Sequence, residues 1–266
     1  MGDVSYKPLI DGMTWSYSRI KSFEDCPYRW YLKYILFPRA EQLELFFASY
    51  GTFMHKLIAE FYKGEKDALD VRLDYLSNYR SRVAAPAPNQ KVASGYFESG
   101  LAYLKVIEPS KDRVVSVEER FAADIGGKPF IGFIDRLDET AEGELVLIDN
   151  KSRTLKPRSK RAKPTQMDQT LDEYLRQLYL YSEFVKKKFG KYPRSLCFNC
   201  FREQAFIKEP FDPARLEEAK AWALENIERI SGETEFRPDI EWFKCHHLCE
   251  MRHLCDYYDI NFGNER

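Results

Sequence analysis

Gly132–Lys151 reads G-F-I-D-R-L-D-E-T-A-E-G-E-L-V-L-I-D-N-K, and the fold of this chain is built around it. It predicts a β-hairpin with two strands that are joined by a turn at Ala141-Glu142-Gly143. Because residues two apart point to the same face of a strand, Asp149 and Lys151 share one face. The intervening Asn150 lies on the other face.

Asp135 lies in the first strand of this hairpin, and strand pairing can place it beside Asp149. Two neighbouring carboxylates repel each other and favour a divalent cation with oxygen ligands. Lys151 next to such a cation can orient a water or offset charge on a phosphate. The hairpin therefore predicts a site that hydrolyses a phosphodiester.

The composition is that of an ordinary globular protein. The 266 residues are 44% hydrophobic and 31% charged, and the net charge of -1 gives no global signal for nucleic acid. No signal peptide or membrane span is apparent, so we expect a cytoplasmic protein. In a reducing compartment the six cysteines are more often metal ligands or buried apolar residues than disulfides.

The elements around the hairpin follow from periodicity and cap residues. A helix beginning at Ser16 or Ser18 is broken at Cys26-Pro27, and Gly126-Gly127 joins a strand from Arg113 to the first hairpin strand. This predicts an antiparallel three-strand meander. A further strand is predicted at 195–203, and further helices at 46–63, 67–83, 91–107, 168–189 and 213–231.

Two helices carry polar residues of interest. His55 lies in 46–63, where a lone histidine is more often structural than catalytic. Glu60, one turn further on, is either a partner of His55 or an exposed residue, and we expect it to be exposed. Gln177 and Tyr181 are four apart and share a helix face. The aromatic residues Trp30, Tyr34 and Trp242 are expected mainly to pack in the core, with shielding of a metal cluster or base stacking as the alternative roles.

The segment 151–163 is strongly basic, with seven of its thirteen residues Lys or Arg and none acidic. Such a run is either a solvated loop or, directly after a metal site, a segment that follows a phosphate backbone. The candidate DNA-binding residues beyond Lys151 are Arg153, Lys156, Arg158, Lys160, Arg161 and Lys163.

Cysteines concentrate near the C-terminus. Cys245, Cys249 and Cys255 fall within eleven residues, together with three histidines. Three cysteines leave a tetrahedral site one ligand short, and either a histidine here or the distant Cys26 can supply it. Cys197 and Cys200, three apart in an extended strand, face opposite sides and are interpreted as structural.

Together these motifs resemble the PD-(D/E)xK nuclease superfamily, in its RecB-like branch with an iron–sulfur cluster. That branch includes the nuclease domain of AddB, the CRISPR-associated adaptation exonucleases and many phage nucleases. The resemblance implies an α/β (α+β) fold with a restriction-endonuclease-like core, in which helices flank a central mixed sheet. It implies one nuclease domain, 1–266, made of a helical part (16–110), a nuclease core (111–210) and a cysteine-rich cap (211–266).

The resemblance also implies residue roles. In G-T-F-M-H, G-F-I-D and I-D-N-K it makes His55, Asp135 and Asp149, with the carbonyl of Asn150, ligands of Mg²⁺ or Mn²⁺. Lys151 is then catalytic. In Q-L-Y-L-Y it makes Gln177 and Tyr181 residues that contact DNA or brace the site.

For the cysteines the resemblance implies a structural 4Fe–4S cluster, with zinc as the alternative. The implied ligands are Cys26, Cys245, Cys249 and Cys255, which would join the N-terminal segment to the C-terminus. The chain departs from the family pattern at two places. Ile134 stands where the family name has proline, and the triplet is C-x3-C-x5-C instead of C-x2-C-x5-C, which makes His246 a possible substitute for Cys245.

The implied activity is a metal-dependent DNA exonuclease that acts on single-stranded or end-containing DNA in recombination, repair or phage DNA processing, in a bacterial or phage-infected cell. One alternative is a zinc-containing nucleic-acid-binding module without catalysis. Another is a nuclease subunit that needs a helicase partner, since the sequence contains no P-loop motif for an ATPase of its own. A recombination protein is the alternative partner.

Overall fold

The computed structural model describes residues 5–263 and has a mixed five-stranded sheet at its centre. The strands lie in chain order, antiparallel except for the parallel β3–β4 pair. They are β1 (Arg113–Ile125), β2 (Lys128–Glu139), β3 (Leu145–Lys151), β4 (Ser195–Cys200) and β5 (Ala205–Pro210).

The predicted meander is confirmed, and glycines make both of its turns. Gly126 and Gly127, at φ 59° and 80°, are the two residues between β1 and β2, which is the left-handed geometry of a tight hairpin. Gly143, at φ 77°, donates its backbone N–H to the carbonyl of Thr140 at 2.9 Å in the turn before β3. The three strands therefore have a fixed register, and this register positions the acids discussed below.

The helices surround the sheet, and most begin at polar cap residues. Ser16 accepts the amide of Arg19 at the start of α2, and Thr165 forms a capping box with Asp168 on α7. The helices are α1 (Lys7–Asp11), α2 (Tyr17–Asp25), α3 (Pro27–Tyr31), α4 (Phe46–Tyr62), α5 (Ala68–Arg82), α6 (Gln90–Val106), α7 (Gln166–Phe189), α8 (Pro213–Gly232), α9 (Trp242–His247) and α10 (Asp256–Phe262).

Two large apolar clusters hold these layers together. One contains residues of α2, α3, α7 and α8 together with one face of the sheet, and includes Leu147 and Phe198. The other lies among α4, α5 and α6, and includes Phe53 and Tyr75. The candidate site lies on β1, β2 and β3, and it also takes residues from α4 and α7. None of the described helices is long and apolar enough to cross a membrane.

The sequence-based boundaries of the longer helices hold to within two residues, but several elements were missed. The strand predicted at 195–203 ends at Cys200, and a single 3-10 turn over Phe201–Glu203 leads into the unpredicted β5. The short helices α1, α9 and α10 and a π-helical segment, Leu32–Leu36, were also not expected. Each has seven residues or fewer, too short for a helical period to stand out.

The basic segment after β3 is tied down at its far end. Asp168 accepts four hydrogen bonds of 2.6–2.7 Å, two from Ser159 and two from Thr165, through their backbone amides and hydroxyls. These donors hold the pKa of Asp168 well below its usual range. The loop therefore enters α7 in a defined conformation.

Candidate active site

Three carboxylates lie in a row across β1, β2 and β3. Glu118 falls between two ladder pairs of β1 and β2, opposite Asp135. Asp149 lies one step beyond the last ladder pair of β2 and β3, where the same register places it opposite Asp135. The predicted approach of Asp135 and Asp149 thus follows from the register, and a third acid joins them.

Glu118 has a backbone conformation that non-glycine residues rarely adopt. Its φ is 51° in the middle of a strand. Opposite it, the alternation of β2 changes phase, because Phe130 and Ile134 face the main apolar cluster and so does Leu137, three residues further on. Irregularities of this kind re-aim side chains and recur beside active sites. The residue with the strained backbone is thus one of the three acids in the row.

His55, from α4, lies over this row. Its Nδ1 is 3.4 Å from Asp135 Oδ2 and 3.7 Å from Glu118 Oε1. One ligand atom from each of these three residues can be chosen so that all lie within 4.8 Å of one another. An imidazole and two carboxylates at this separation form a set that can hold a metal ion.

A second line of contacts runs from Asp149 to α7. Asp149 Oδ2 is 2.8 Å from Lys151 Nζ, and Lys151 donates to Gln177 Oε1 at 2.9 Å. Gln177 Nε2 in turn donates to the hydroxyl of Tyr181 at 3.2 Å. Gln177 and Tyr181 therefore brace Lys151 from the helix that covers this face of the sheet.

Gly132, the first residue of G-F-I-D, makes room for this brace. A Cβ at this position would lie 2.6 Å from Tyr181 Cε1 and 2.7 Å from Phe184 Cε2. Real Cβ atoms essentially never approach so closely, so the glycine allows the Tyr181 ring to lie directly on β2. The first residue of G-F-I-D and the last residue of Q-L-Y-L-Y are thus in contact.

Asn150 contributes through its backbone and, on the other face, through its side chain. Its amide donates to Asp135 Oδ2 at 2.6 Å. Its side-chain Oδ1 accepts from Asn199 Nδ2 at 2.8 Å. The sequence-based expectation that Asn150 points away from Asp149 and Lys151 agrees with these contacts.

Burial and charge set the protonation of the site. Burial, reinforced by Asp135 and opposed by Lys151, raises the pKa of Asp149 to about 6. Burial disfavours a charged His55, but the neighbouring Asp135 and Glu118 carboxylates outweigh it and raise its pKa to about 10. Burial likewise opposes ionisation of Asp135, yet His55 and the Asn150 amide keep its pKa below the usual range. The acids thus favour a cation among them.

The residues present fit a divalent cation. Among residues 5–263, Glu118 Oε1 and Asp149 Oδ2 are buried side-chain oxygens without an aligned hydrogen-bond donor, although Asp149 has its ion pair with Lys151. Buried oxygens of this kind are costly unless something compensates them. Oxygen ligands with one imidazole suit Mg²⁺ or Mn²⁺.

The four cysteines implied as cluster ligands come together at the C-terminal cap. Cys26, Cys245, Cys249 and Cys255 line one small cavity between the start of α3 and the segment around α9. Burial raises the pKa of the Cys249 thiol to about 12, and raises those of Cys245 and Cys255 as well. Thiolates here would need a positive partner such as a metal.

His246 is not among the residues that line this cavity. Its ring stacks on Trp242, with centroids 4.5 Å apart, and its Nδ1 lies 2.8 Å from the Trp242 carbonyl. Cys197 and Cys200 are buried in two different apolar clusters, in agreement with their predicted structural role.

Several expectations about single side chains need correction. Glu60 is not exposed: its side chain is 16% accessible and pairs with Lys66 at 2.9 Å. Trp30 is fully buried in the core as expected, but Trp242 is 49% exposed and is not a core residue. Tyr34 is half-buried and packs against Trp30.

The basic-loop residues differ in their surroundings. Arg158 pairs with Asp172 at 2.6 Å and with Glu209 at 2.9 Å, so its charge is used within the fold. Arg153 is exposed, and its Nη1 donates to the hydroxyl of Tyr174 at 3.0 Å, beside Lys151. The remaining candidates are exposed: Lys156, Lys160, Arg161 and Lys163.

Sequence reasoning missed Glu118, although a signal was present. Counting back along both strands from the two-residue Gly126-Gly127 turn pairs Glu118 with Asp135.

The family model described as "PD-(D/E)XK nuclease superfamily" matches residues 14–256. The chain belongs to the PD-(D/E)XK nuclease superfamily. It is therefore a phosphodiester hydrolase of a family that uses divalent metal ions, with DNA as the implied substrate. No curated protein sequence matches the chain.

One of the similar solved structures supports the same fold. The chain is similar to a crystal structure described as "Putative exonuclease" from Eubacterium rectale, with a TM-score of 0.52 at 16% identity, covering 98% of this chain and 91% of that one. A structure described as SSO0001 is 18% identical over 78% of this chain and 96% of that one. Its TM-score of 0.33 adds nothing to the fold assignment.

Proposed function

We propose that this protein is a metal-dependent DNA exonuclease that acts on single-stranded or end-containing DNA. The observation that carries the proposal is the row of Glu118, Asp135 and Asp149 under His55, with Lys151 2.8 Å from the last acid. A cation site next to a braced ammonium group suits the hydrolysis of a phosphodiester. The neighbour described as an exonuclease is in line with this activity.

One set of residues would bind the metal ion, and a second set would contact the phosphate. His55, Glu118, Asp135 and Asp149, with the backbone carbonyl of Asn150, would hold one or two Mg²⁺ or Mn²⁺ ions. Such an ion, when bound, supplies Lewis-acid activation of the attacking water and of the phosphate.

Lys151 places its ammonium group beside the scissile phosphate, where it offsets the charge that develops on the phosphoryl oxygens. Gln177 fixes the direction of Lys151 through the 2.9 Å hydrogen bond, and Tyr181 fixes Gln177. The exposed Arg153 adjoins Lys151 through Tyr174 and can bind the next phosphate of the strand.

A 4Fe–4S cluster at Cys26, Cys245, Cys249 and Cys255 forms the second part of the proposal. The four thiols line one cavity, and four cysteines are the common ligand set of such a cluster. It would join the N-terminal segment to the C-terminal cap and so hold 1–266 together as one domain.

The test uses end-labelled linear single-stranded and duplex DNA, and a circular single strand, with Mg²⁺ or Mn²⁺. The wild type should shorten linear strands progressively and leave the circle intact. Asp149→Ala and Lys151→Ala should lower the cleavage rate by at least two orders of magnitude, because each removes part of the charge arrangement. Arg194→Ala is the matched control, since Arg194 lies next to the start of β4, at the opposite end of the sheet, with its side chain 71% exposed.

Equal cleavage by the wild type and both site variants would refute the catalytic assignment. Cutting of the circular strand would refute exonuclease action while leaving the hydrolase intact. Purified protein that contains zinc but no iron after anaerobic preparation would refute the cluster.

A further inference from the structure

The two residues on either side of Lys151 are both hydrogen-bonded by side chains from one short segment, the end of β4 and the turn after it. Asn150, on its N-terminal side, is bound through its side chain by Asn199. Ser152, on its C-terminal side, is bound through its carbonyl by Arg202, whose Nη1 donates at 3.1 Å. Both partners come from the end of β4 and the 3-10 turn that follows it.

The Asn199 contacts form a continuous chain from α6 to the candidate metal ligands. Asn199 pairs with Asn150 in the parallel β3–β4 ladder, so their side chains share a face. Asn199 Nδ2 donates to Asn150 Oδ1 and to the Tyr103 hydroxyl, both at 2.8 Å. Asn150 then donates its amide to Asp135 Oδ2 at 2.6 Å. All four residues are buried, so water competes little for these bonds.

The Arg202 contacts make a second anchor. The guanidinium lies 3.7 Å from the centroid of the Tyr96 ring, and its Nε donates to Ser99 Oγ at 3.3 Å. With the bond to the Ser152 carbonyl, the side chain is held at three points. The contacts with Tyr96 and Ser99 therefore fix the guanidinium in the position from which it binds the Ser152 carbonyl.

Helix α6 supports both anchors with one face. Tyr96, Ser99 and Tyr103 are three and four residues apart and so lie on one side of the helix. At Gly100, on the same helix, an added Cβ would lie 2.5 Å from the hydroxyl of Tyr75 and would clash. Such close packing on the neighbouring helices fixes the position of α6 and hence of the anchors.

We propose that Asn199 and Arg202 are positioning residues that hold the strand end Asn150-Lys151-Ser152, and with it the Asn150 carbonyl and the Lys151 ammonium, in register with Asp135. This role rests on the proposed nuclease function of the same site. Among the candidate metal ligands, the side chain of Asn199 binds that of Asn150, whereas the Arg202 side chain binds the Ser152 carbonyl beyond them. Their effect on metal and phosphate is therefore exerted through the backbone of β3.

The first experiment measures Mn²⁺ binding to the DNA-free protein, from the electron paramagnetic resonance signal of free Mn²⁺. Asn199→Leu should weaken Mn²⁺ binding by about tenfold or more, the loss typical of removing a partner that orients a ligand. Tyr103→Phe deletes only the hydroxyl that orients Asn199, and should cause a smaller loss of the same sign. It also preserves the test if Asn199→Leu fails to fold.

The second experiment separates positioning from general loss of stability. In DNA cleavage, Asn199→Leu should lower kcat with KM for DNA nearly unchanged. Arg202→Met should lower kcat, and Arg202→Lys should restore much of it, because a lysine can still donate to the Ser152 carbonyl. Ser195→Ala is the matched control, since Ser195 is buried at the far end of the same strand.

A double-mutant cycle of Asn199→Leu with Asn150→Leu gives the decisive comparison. If the bond between the two amides transmits the effect, the double variant should bind Mn²⁺ no more weakly than Asn199→Leu alone. Mn²⁺ binding by Asn199→Leu and Tyr103→Phe equal to that of Ser195→Ala, or fully additive losses in the cycle, would overturn the proposal. A wild type that binds Mn²⁺ but cleaves no DNA would instead refute the nuclease function, and the Mn²⁺ series would still decide the role of Asn199.

Discussion

Substitution of Gly132 by alanine tests how the G-F-I-D motif of β2 and α7 fit together. The new Cβ would lie 2.6 Å from a ring carbon of Tyr181 and 2.7 Å from one of Phe184. Tyr181 is 8% and Phe184 1% exposed, so neither ring can move into solvent without loss of packing. The substitution therefore overpacks the junction between β2 and α7.

The magnitude follows from two opposing contributions. Overpacking a buried site costs about 1–3 kcal/mol, and two displaced rings place this site near the upper end. Replacing a strand glycine by alanine returns about 0.5–1 kcal/mol of backbone entropy. We expect a net loss of about 2 kcal/mol in the free energy of unfolding, which corresponds to a fall in Tm of roughly 4–8 °C for a chain of this size.

The assay is urea denaturation followed by tryptophan fluorescence, with Gly51→Ala as the matched control. Gly51 lies within α4, where an added Cβ meets no atom within 4 Å. Alanine should stabilise the helix there by about 0.5–1 kcal/mol. Because Tyr181 holds Gln177, Gly132→Ala should also lower the cleavage rate of the folded protein. A Gly132→Ala protein as stable as the wild type would refute the packing argument.

Three further predictions concern other parts of the molecule. At Glu118, where φ is 51°, Glu118→Gly should be more stable than Glu118→Ala by about 1 kcal/mol, which is the reverse of an ordinary strand position, and both variants should lose Mn²⁺ affinity. If Glu118→Ala were the more stable of the two in urea, the argument for backbone strain at this position would be wrong. The pKa of Asp168 is lowered in the folded state, so its contribution to stability is present above the unfolded pKa of about 3.9 and is lost as the pH falls through the folded pKa. The Tm difference between the wild type and Asp168→Asn should therefore be full at pH 7 and shrink below about pH 4, and a Tm difference independent of pH would contradict this. Cys26→Ser should lower the iron content of anaerobically purified protein and its Tm, whereas Cys197→Ala, in the apolar cluster between β3 and β4, should retain the iron; equal iron in both variants would exclude Cys26 as a ligand.

Much of the candidate site could be predicted from sequence because it depends on local geometry. The period of a strand places Asp149 and Lys151 on one face, and the period of a helix places Gln177 and Tyr181 on one face. Glycine turns fix the register of the meander, so even the pairing of Glu118 with Asp135 was available from the sequence. Short elements such as β5 and α9 were missed, since they carry too few residues for a period.

Contacts between distant segments are the part of the site that only the folded chain reveals. The amino-acid sequence is enough to predict the hairpin, its acids and lysine, and the order of the motifs, because these depend on backbone periodicity and turn chemistry. It could not determine that α6 supports Asn199 and Arg202 behind Lys151, or that the glycine at 132 lies under Tyr181. Those relations arise only when helices pack on the sheet, and packing depends on side-chain shape across the whole chain.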